Sequence, residues 1–311
     1  MAAVADSDIK TGRANLEVFS STLQELASGD RDIVVVTSDS RGSGKLVPFA
    51  QKFPKQLIEI GIAEQNLVGV AAGLASAGKK AFAVSPACFL TARALEQIKN
   101  DVAYSDNPVK LIGISAGVSY GPLGSTHHSL HDFAALRAIN NLIIVAPADN
   151  YETAEAIRQA ASLNKPVYLR FGKKNMPDLG GRNDFQFGKG RVIKEGSEVA
   201  FIATGETVHP ALLAAQKLEG AAVISMHTIK PLDTEVLKKY KAIITVEEHS
   251  VNGGLGEACA SFLLQSGINV PFKIVGIPDE YTVTGSQNDI FNHYGISEKG
   301  LIETAMKLLR R

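Results

Sequence analysis

Three features of the sequence predict an α/β fold with two doubly wound domains. Short β-branched runs alternate with segments of helical period along nearly the whole chain, which argues for mostly parallel sheets covered on both faces. Polar, glycine-containing loops follow several of the predicted strands. The stretch Asn175 to Asn183, with Pro177, Gly180 and Gly181, has linker composition and divides the 311 residues into two blocks, 1–178 and 179–311.

In the first block, Leu16, Phe19, Leu23 and Leu26 share a helical face that ends at Ser28-Gly29-Asp30. Ile33 to Val36 reads as a buried parallel strand, and the polar loop Thr37 to Lys45 follows it. That loop is not a P-loop, because the G-x-x-x-x-G-K-[ST] spacing fails and Leu46 follows Lys45. Leu57 to Ile60 predicts a strand and Gly61 a tight turn. Gln65 to Ala75 predicts a helix that is apolar nearly all round and is therefore expected to be buried.

The alternation continues with strand Ala81 to Val84, helix Leu90 to Ala103, and strand Val109 to Ile114. A long loop, Ser115 to Ser129, then carries Gly117, Gly121 and Gly124. Helix Leu130 to Ile139, strand Leu142 to Val145, helix Tyr151 to Leu163 and strand Val167 to Arg170 complete the block. In the second block, strands are expected near Val199 to Ala203, Ala222 to Ser225, Ala242 to Val246 and Phe272 to Ile277.

Composition narrows the functional classes. Lys+Arg and Asp+Glu both number 32, with no polybasic tract, so neither a nucleic-acid surface nor a membrane anchor is indicated. The opening Met1 to Lys10 is polar and acidic and lacks the apolar centre of a signal peptide. No run approaches bilayer length. The two cysteines, Cys88 and Cys259, have no C-x-x-C partner, which suits a reducing cytoplasm.

The chemistry is expected at Glu64, the one acid in a run of small apolar residues at the mouth of a buried helix. A carboxylate there is costly unless it is paired or its pKa is raised, and such positions are enriched in functional groups. A first-turn glutamate complementing the helix dipole is the alternative. His127, His128 and His131 lie close in sequence, but no cysteine is near and H-E-x-x-H is absent, so no metal site is expected. They are better read as hydrogen-bond donors to a polar substrate, or as surface residues without a role. Gly253-Gly254-Leu255-Gly256-Glu257 opens a helix that could receive an anion, although helix–sheet packing explains the glycines equally well.

An ordered set of segments resembles the C-terminal half of transketolases. It comprises Gly61-Ile62-Ala63-Glu64-Gln65-Asn66, Ala81-Phe82-Ala83-Val84-Ser85, Arg93, Glu96-Gln97-Ile98, Gly124-Ser125-Thr126-His127 and Val167-Tyr168-Leu169-Arg170. In the second block, Ile229-Lys230-Pro231-Leu232-Asp233 and Val246-Glu247-Glu248-His249 resemble the transketolase C-terminal domain. The resemblance implies a pyrimidine-binding domain over 1–178 and a C-terminal domain over 179–311. It also implies a thiamine diphosphate site shared between subunits. In that site Glu64 would hydrogen-bond the cofactor's aminopyrimidine, with its carboxyl pKa raised by desolvation.

The family's G-D-G motif, which binds the diphosphate and a divalent metal such as Mg, is absent from this sequence. The resemblance therefore implies a subunit that works only with a diphosphate-binding N-terminal partner, in a two-plus-two assembly. It assigns Arg13, Ser43 and Arg170 to the sugar phosphate, Asp39 to the neighbourhood of the cofactor, and His127 to substrate hydroxyls and catalysis. The family's paired stacking phenylalanines fall at Ala87 and Leu90, leaving Phe89 as the nearest aromatic. Ser115 replaces a second substrate histidine, and Leu123 replaces an acid that reads a ketose hydroxyl.

Those departures point to a specialised two-carbon ketol transfer from an anionic ketose, such as apulose 4-phosphate or a sulfonated fructose, to an aldose phosphate. An ordinary pentose-phosphate transketolase subunit is the next expectation. A deoxyxylulose-phosphate synthase-like chain and an oxo-acid dehydrogenase beta-like subunit follow. A non-catalytic homologue is disfavoured by the joint retention of Glu64, Arg13, Ser43, His127 and Arg170.

Overall fold

A computed structural model describes residues 10–180 and 185–310. The expectation for the first nine residues and part of the Asn175 to Asn183 linker lie outside the described residues.

The first block opens with a short strand β1 (Thr11–Ala14) and helix α1 (Asn15–Gly29), then β2 (Ile33–Thr37), α2 (Val47–Lys52), β3 (Leu57–Glu59) and α3 (Glu64–Ser76). It continues with β4 (Lys80–Pro86), α4 (Ala87–Arg93), α5 (Leu95–Gln97), β5 (Lys110–Ile114), α6 (Asp132–Arg137), β6 (Ile143–Val145), α7 (Asn150–Ser162), β7 (Val167–Arg170) and β8 (Asn175–Pro177). The second block holds β9 (Arg191–Lys194), β10 (Val199–Ala203), α8 (Val208–Gln216), β11 (Ala221–Ser225), β12 (Thr228–Lys230) and α9 (Thr234–Leu237). It ends with β13 (Ala242–Ser250), α10 (Leu255–Gln265), β14 (Phe272–Ile277), α11 (Gln287–His293) and α12 (Glu298–Leu309).

Both main sheets are largely parallel, as the alternation predicts. The first runs β12-β6-β7-β5-β4-β2-β3 and the second β14-β13-β10-β11-β9. β2 and β10 are buried at every position, which is why they read as unbroken apolar runs. Each sheet carries one antiparallel edge strand that periodicity did not reveal. One of them, β12, comes from the second block and pairs with β6 of the first. Three residues are too short a run to announce themselves as a strand.

The two blocks also share a core. A single apolar cluster runs from Leu67 and Ala83 through Leu136 and Ile144 to Met226, Ile229 and Leu255. A buried ion cluster seals another part of the boundary. There Arg191 on β9 meets Asp149 at 2.9 Å and Glu152 at 3.0 Å, at the start of α7.

Three expectations are corrected. The helix predicted from Leu90 to Ala103 is broken into α4, α5 and a wider π-type segment, Ile98–Tyr104. Asn175 to Pro177, read as linker, forms β8 and pairs with β1. The helix following Gly61, α3, is not buried all round. Leu67, Val68, Ala71 and Ala75 pack inward, whereas Gln65, Asn66 and Gly73 are exposed. β3 is the edge strand of its sheet among the described residues.

Candidate active site

The loops of interest all leave the carboxyl ends of adjacent parallel strands. β7, β5, β4, β2 and β3 lie side by side, and strand order reverses between β2 and β4. Ligands in open α/β sheets bind outside the strand carboxyl ends at such a reversal.

Glu64 is the first residue of α3, set after the Gly61 turn with its φ of +78°. Its carboxylate is only 3% exposed, and Arg93 Nη1 donates to both carboxylate oxygens at 3.0 Å. The expected lone buried acid is therefore a paired one. Arg93 comes from the end of α4, and its guanidinium lies 4.3 Å from the centroid of the Phe89 ring. Ile62, Ala63, Glu64, Gln65 and Arg93 line an open depression. Ile62, a large apolar side chain, stands 73% exposed at its edge.

From Phe89 a continuous strip of rings leads across the strand ends. The His127 ring lies edge-on to Phe89 at 5.4 Å and to Tyr120 at 5.5 Å, centroid to centroid. Lys173 Nζ sits 4.1 Å from the Tyr120 centroid. Burial, together with the nearby Lys45, holds the Lys173 ammonium below its ordinary pKa. Glu64, Arg93, Phe89, His127, Tyr120 and Lys173 thus connect β3, β4, β5 and β7 in one line.

His127 closes a tight turn, with its amide donating to Gly124 O at 2.9 Å and Thr126 Oγ1 lying 3.0 Å from its Nδ1. Leu123, in the same turn, is 54% exposed. Ser115 has a φ of +54° and is fully buried near Tyr120. Its hydroxyl is enclosed within this chain.

The remaining expected residues divide. The Asp39 side chain is exposed, with φ of +51°, and its amide donates to Glu59 Oε1 at 2.7 Å. The same oxygen accepts from Gly61 N at 3.1 Å, which ties the β2 loop to the turn before Glu64. Ser43 is exposed, and its hydroxyl donates to Ser40 O at 3.2 Å. Arg13 runs along α1, donates to Ser21 Oγ at 3.2 Å, and lines a separate depression with Tyr151 and Arg158.

Two further expected residues are buried within this chain. Leu90 is fully buried in the apolar core and does not line the depression beside Glu64. Arg170 is buried at the boundary between the blocks. Its Nε donates to Asp132 Oδ2 at 2.8 Å, and its Nη2 donates to Glu248 O at 2.8 Å and Ser129 O at 3.2 Å. Arg170 is the last residue inside β7, where its side chain packs against α6 and the second block. Lys173, three residues further on, has left the strand and reaches the ring strip. The rule that ligand residues follow strand ends would have favoured Lys173.

Two other readings also change. The α10 N-terminus cannot receive an outside anion, because Glu247 already accepts from Leu255 N at 2.6 Å and Gly256 N at 2.9 Å. The three histidines do not converge. His128 bonds Thr282 and Gly121, while His131 Nε2 lies 3.4 Å from Thr91 Oγ1. Among the described residues, no group of three or more His, Cys, Asp or Glu is placed to hold a metal ion. No described helix is long and apolar enough to cross a membrane. Cys88 and Cys259 are both free and buried.

Two family models cover this architecture. The transketolase pyrimidine-binding domain matches residues 12–178, and the transketolase C-terminal domain matches residues 188–301. The chain belongs to the transketolase family. Within it, the chain is 46% identical over 303 residues to an apulose-4-phosphate transketolase subunit of Phocaeicola vulgatus, covering 94% of this chain and 96% of that protein. It is 33% identical to the 6-deoxy-6-sulfo-D-fructose transketolase subunit of a Clostridium species, covering 95% and 94% respectively. A solved structure described as a split-gene transketolase, inactive beta4 tetramer, superposes with a TM-score of 0.85 at 35% identity. That match covers 96% of this chain and 99% of the other.

Proposed function

We propose that this chain is the pyrimidine-facing subunit of a two-chain transketolase that moves a two-carbon ketol unit from an anionic ketose to an aldose phosphate. The observation that carries the reading is the Glu64 carboxylate, buried at a helix start beside an open depression and linked through Arg93 to the Phe89–His127–Tyr120–Lys173 contacts. These residues fit one wall of a thiamine diphosphate site. Thiamine diphosphate, when bound, supplies the carbon nucleophile and electron sink of ketol transfer.

Glu64 would hold a proton against a ring nitrogen of the aminopyrimidine, and Arg93 would orient the carboxylate. Phe89 would offer the apolar contact, and Asp39 would stand nearby on the β2 loop. The diphosphate and its divalent metal would be held by a partner chain bearing the diphosphate-binding domain.

His127 would hydrogen-bond substrate hydroxyls. Lys173, with Lys45 and Ser43 nearby on the loop after β2, would hold the distal anion, phosphate or sulfonate. Leu123 presents an apolar side chain at the turn where a polar partner for a hydroxyl would otherwise stand. The names of the relatives, an apulose phosphate and a sulfofructose enzyme, accord with a non-standard ketose donor. Leu123→Asp should shift preference toward xylulose 5-phosphate by about ten- to a hundredfold in relative kcat/KM. A wild-type optimum on xylulose 5-phosphate would remove the specialised reading.

The decisive experiment mixes the purified chain with a diphosphate-binding partner, thiamine diphosphate and magnesium. The chain alone should bind the cofactor weakly and turn over no ketose, and the mixture should be active as a two-plus-two assembly. Turnover by the chain alone would end the proposal.

A further inference from the structure

Residues 278–286, between β14 and α11 in the second block, lie against the turn that carries His127. Thr282 is 7% exposed, while its neighbour Tyr281 is 94% exposed, so the segment turns one side chain inward. The Thr282 Oγ1 lies 2.7 Å from His128 Nδ1 and 3.0 Å from Ser125 Oγ, and Thr282 N donates to Ser125 Oγ at 3.0 Å. These partners stand on either side of His127. Gly121 and Gly124 allow the close approach, since a Cβ at Gly121 would meet Gly285 O at 2.6 Å and one at Gly124 would meet Thr284 at 3.1 Å.

The hydrogens can be assigned. His128 Nε2 faces Gly121 O at 3.0 Å, and a carbonyl only accepts, so Nε2 carries the proton. Burial keeps the imidazole neutral by lowering its pKa, so Nδ1 accepts. Thr282 therefore donates its hydroxyl hydrogen to His128, and Ser125 donates to Thr282. Every hydrogen then has one place, so the chain of bonds fixes the turn in a single arrangement.

The second block grips the other end of the loop as well. Val118 N donates to Glu248 Oε1 at 3.0 Å, and Gln287 Nε2 donates to that oxygen at 2.6 Å. The site loop is thus tied to the second block at its start and at its end, with Gln287 and Thr282 close together in sequence.

We propose that the 278–286 segment is a clamp that positions His127 for substrate, and that Thr282 is its positioning residue. The clamp gives the second block a direct role at the site of the first. The substrate part of this proposal rests on the transketolase reading, whereas the clamp itself does not.

Two measurements separate them. In the isolated chain, Thr282→Val should speed amide hydrogen exchange in peptides covering His127 and His128 by about tenfold, and Thr282→Ser should restore it. In the enzyme assembled with its partner, Thr282→Val should lower kcat/KM for the ketose donor by about tenfold, chiefly by raising KM, with Thr282→Ser again restoring it. Ser125→Ala should show the same pattern more weakly, which guards against a Val variant that misfolds. Unchanged exchange in Thr282→Val would overturn the clamp whether or not the assembly turns over ketose. Faster exchange with unchanged kinetic constants would overturn the positioning role.

Discussion

At the scale of single residues, the pairing of Glu64 with Arg93 makes the clearest claim. Glu64→Gln keeps the shape but cannot hold the proton, so kcat of the assembled enzyme should fall about a hundredfold or more with assembly unchanged. Arg93→Met leaves a buried carboxylate without its donor. It should lower stability by roughly 1–3 kcal/mol in urea, and less in a Glu64→Gln background. Equal losses in both backgrounds would show that the ion pair contributes nothing. Lys173 and Arg170 make a second contrast. Lys173→Met should raise KM for anionic ketoses about tenfold or more with stability nearly unchanged. Arg170→Met should instead unfold the boundary at lower urea, by about 3–5 kcal/mol, because the buried Asp132 keeps the Tyr168 hydroxyl but loses its guanidinium partner. A KM effect confined to Arg170 would return the anion site to β7. Glu64 was legible because one acid in an apolar run is conspicuous. Arg93 was visible as a residue, but its reach back to Glu64 was not.

At the scale of elements, the loop Ser115 to Ser129 depends on the glycines that let it lie against the second block. Gly117 has a φ of +60°, and a methyl group there would collide with the Glu248 side chain. Gly117→Ala should destabilise the chain by more than about 1 kcal/mol and weaken protection of the Val118 amide, read by urea unfolding and hydrogen exchange. No change in either would mean that the loop adapts at no cost. Glycines in this loop were apparent from the sequence, and so was its place after a strand. What each glycine accommodates could not be read, because the atoms it makes room for lie far along the chain.

At the scale of the whole molecule, the boundary between the blocks concentrates buried titratable groups, and this sets the pH dependence. Burial pushes Glu247 and Glu248 up to about 8, and burial with the neighbouring Asp149 pushes Glu152 up to about 7. Each is protonated in the folded chain over a range where the unfolded chain has already released its proton. Stability contributed by these groups is therefore full below about pH 4.5 and declines as pH rises towards 8. His227 and His249, held down to about 3 and about 4 by burial, act oppositely. The unfolded chain takes up protons that the folded one refuses, so stability falls as pH drops from about 6.5 towards 4. Urea midpoints across about pH 4 to 9 should be highest near about pH 4.5 to 5, where the three carboxylates begin to outweigh the two histidines, and Glu248→Gln should flatten the alkaline side. An alkaline limb as steep in the variant as in the wild type would exclude Glu248 as a source.

The sequence by itself determined the alternation of strands and helices, the buried parallel strands β2 and β10, and the position of Glu64 at the head of α3. These follow from local properties, namely side-chain period, β-branching and turn residues, which act over a few positions. Only the tertiary structure decided that Arg170 seals the boundary while Lys173 reaches the ring strip, that Leu90 and Ser115 are enclosed, and that Thr282 holds the turn around His127. Each of these depends on which side chain a neighbour fixed by distant chain leaves uncovered. Burial and pairing are set by packing between segments, and no window of sequence contains both partners.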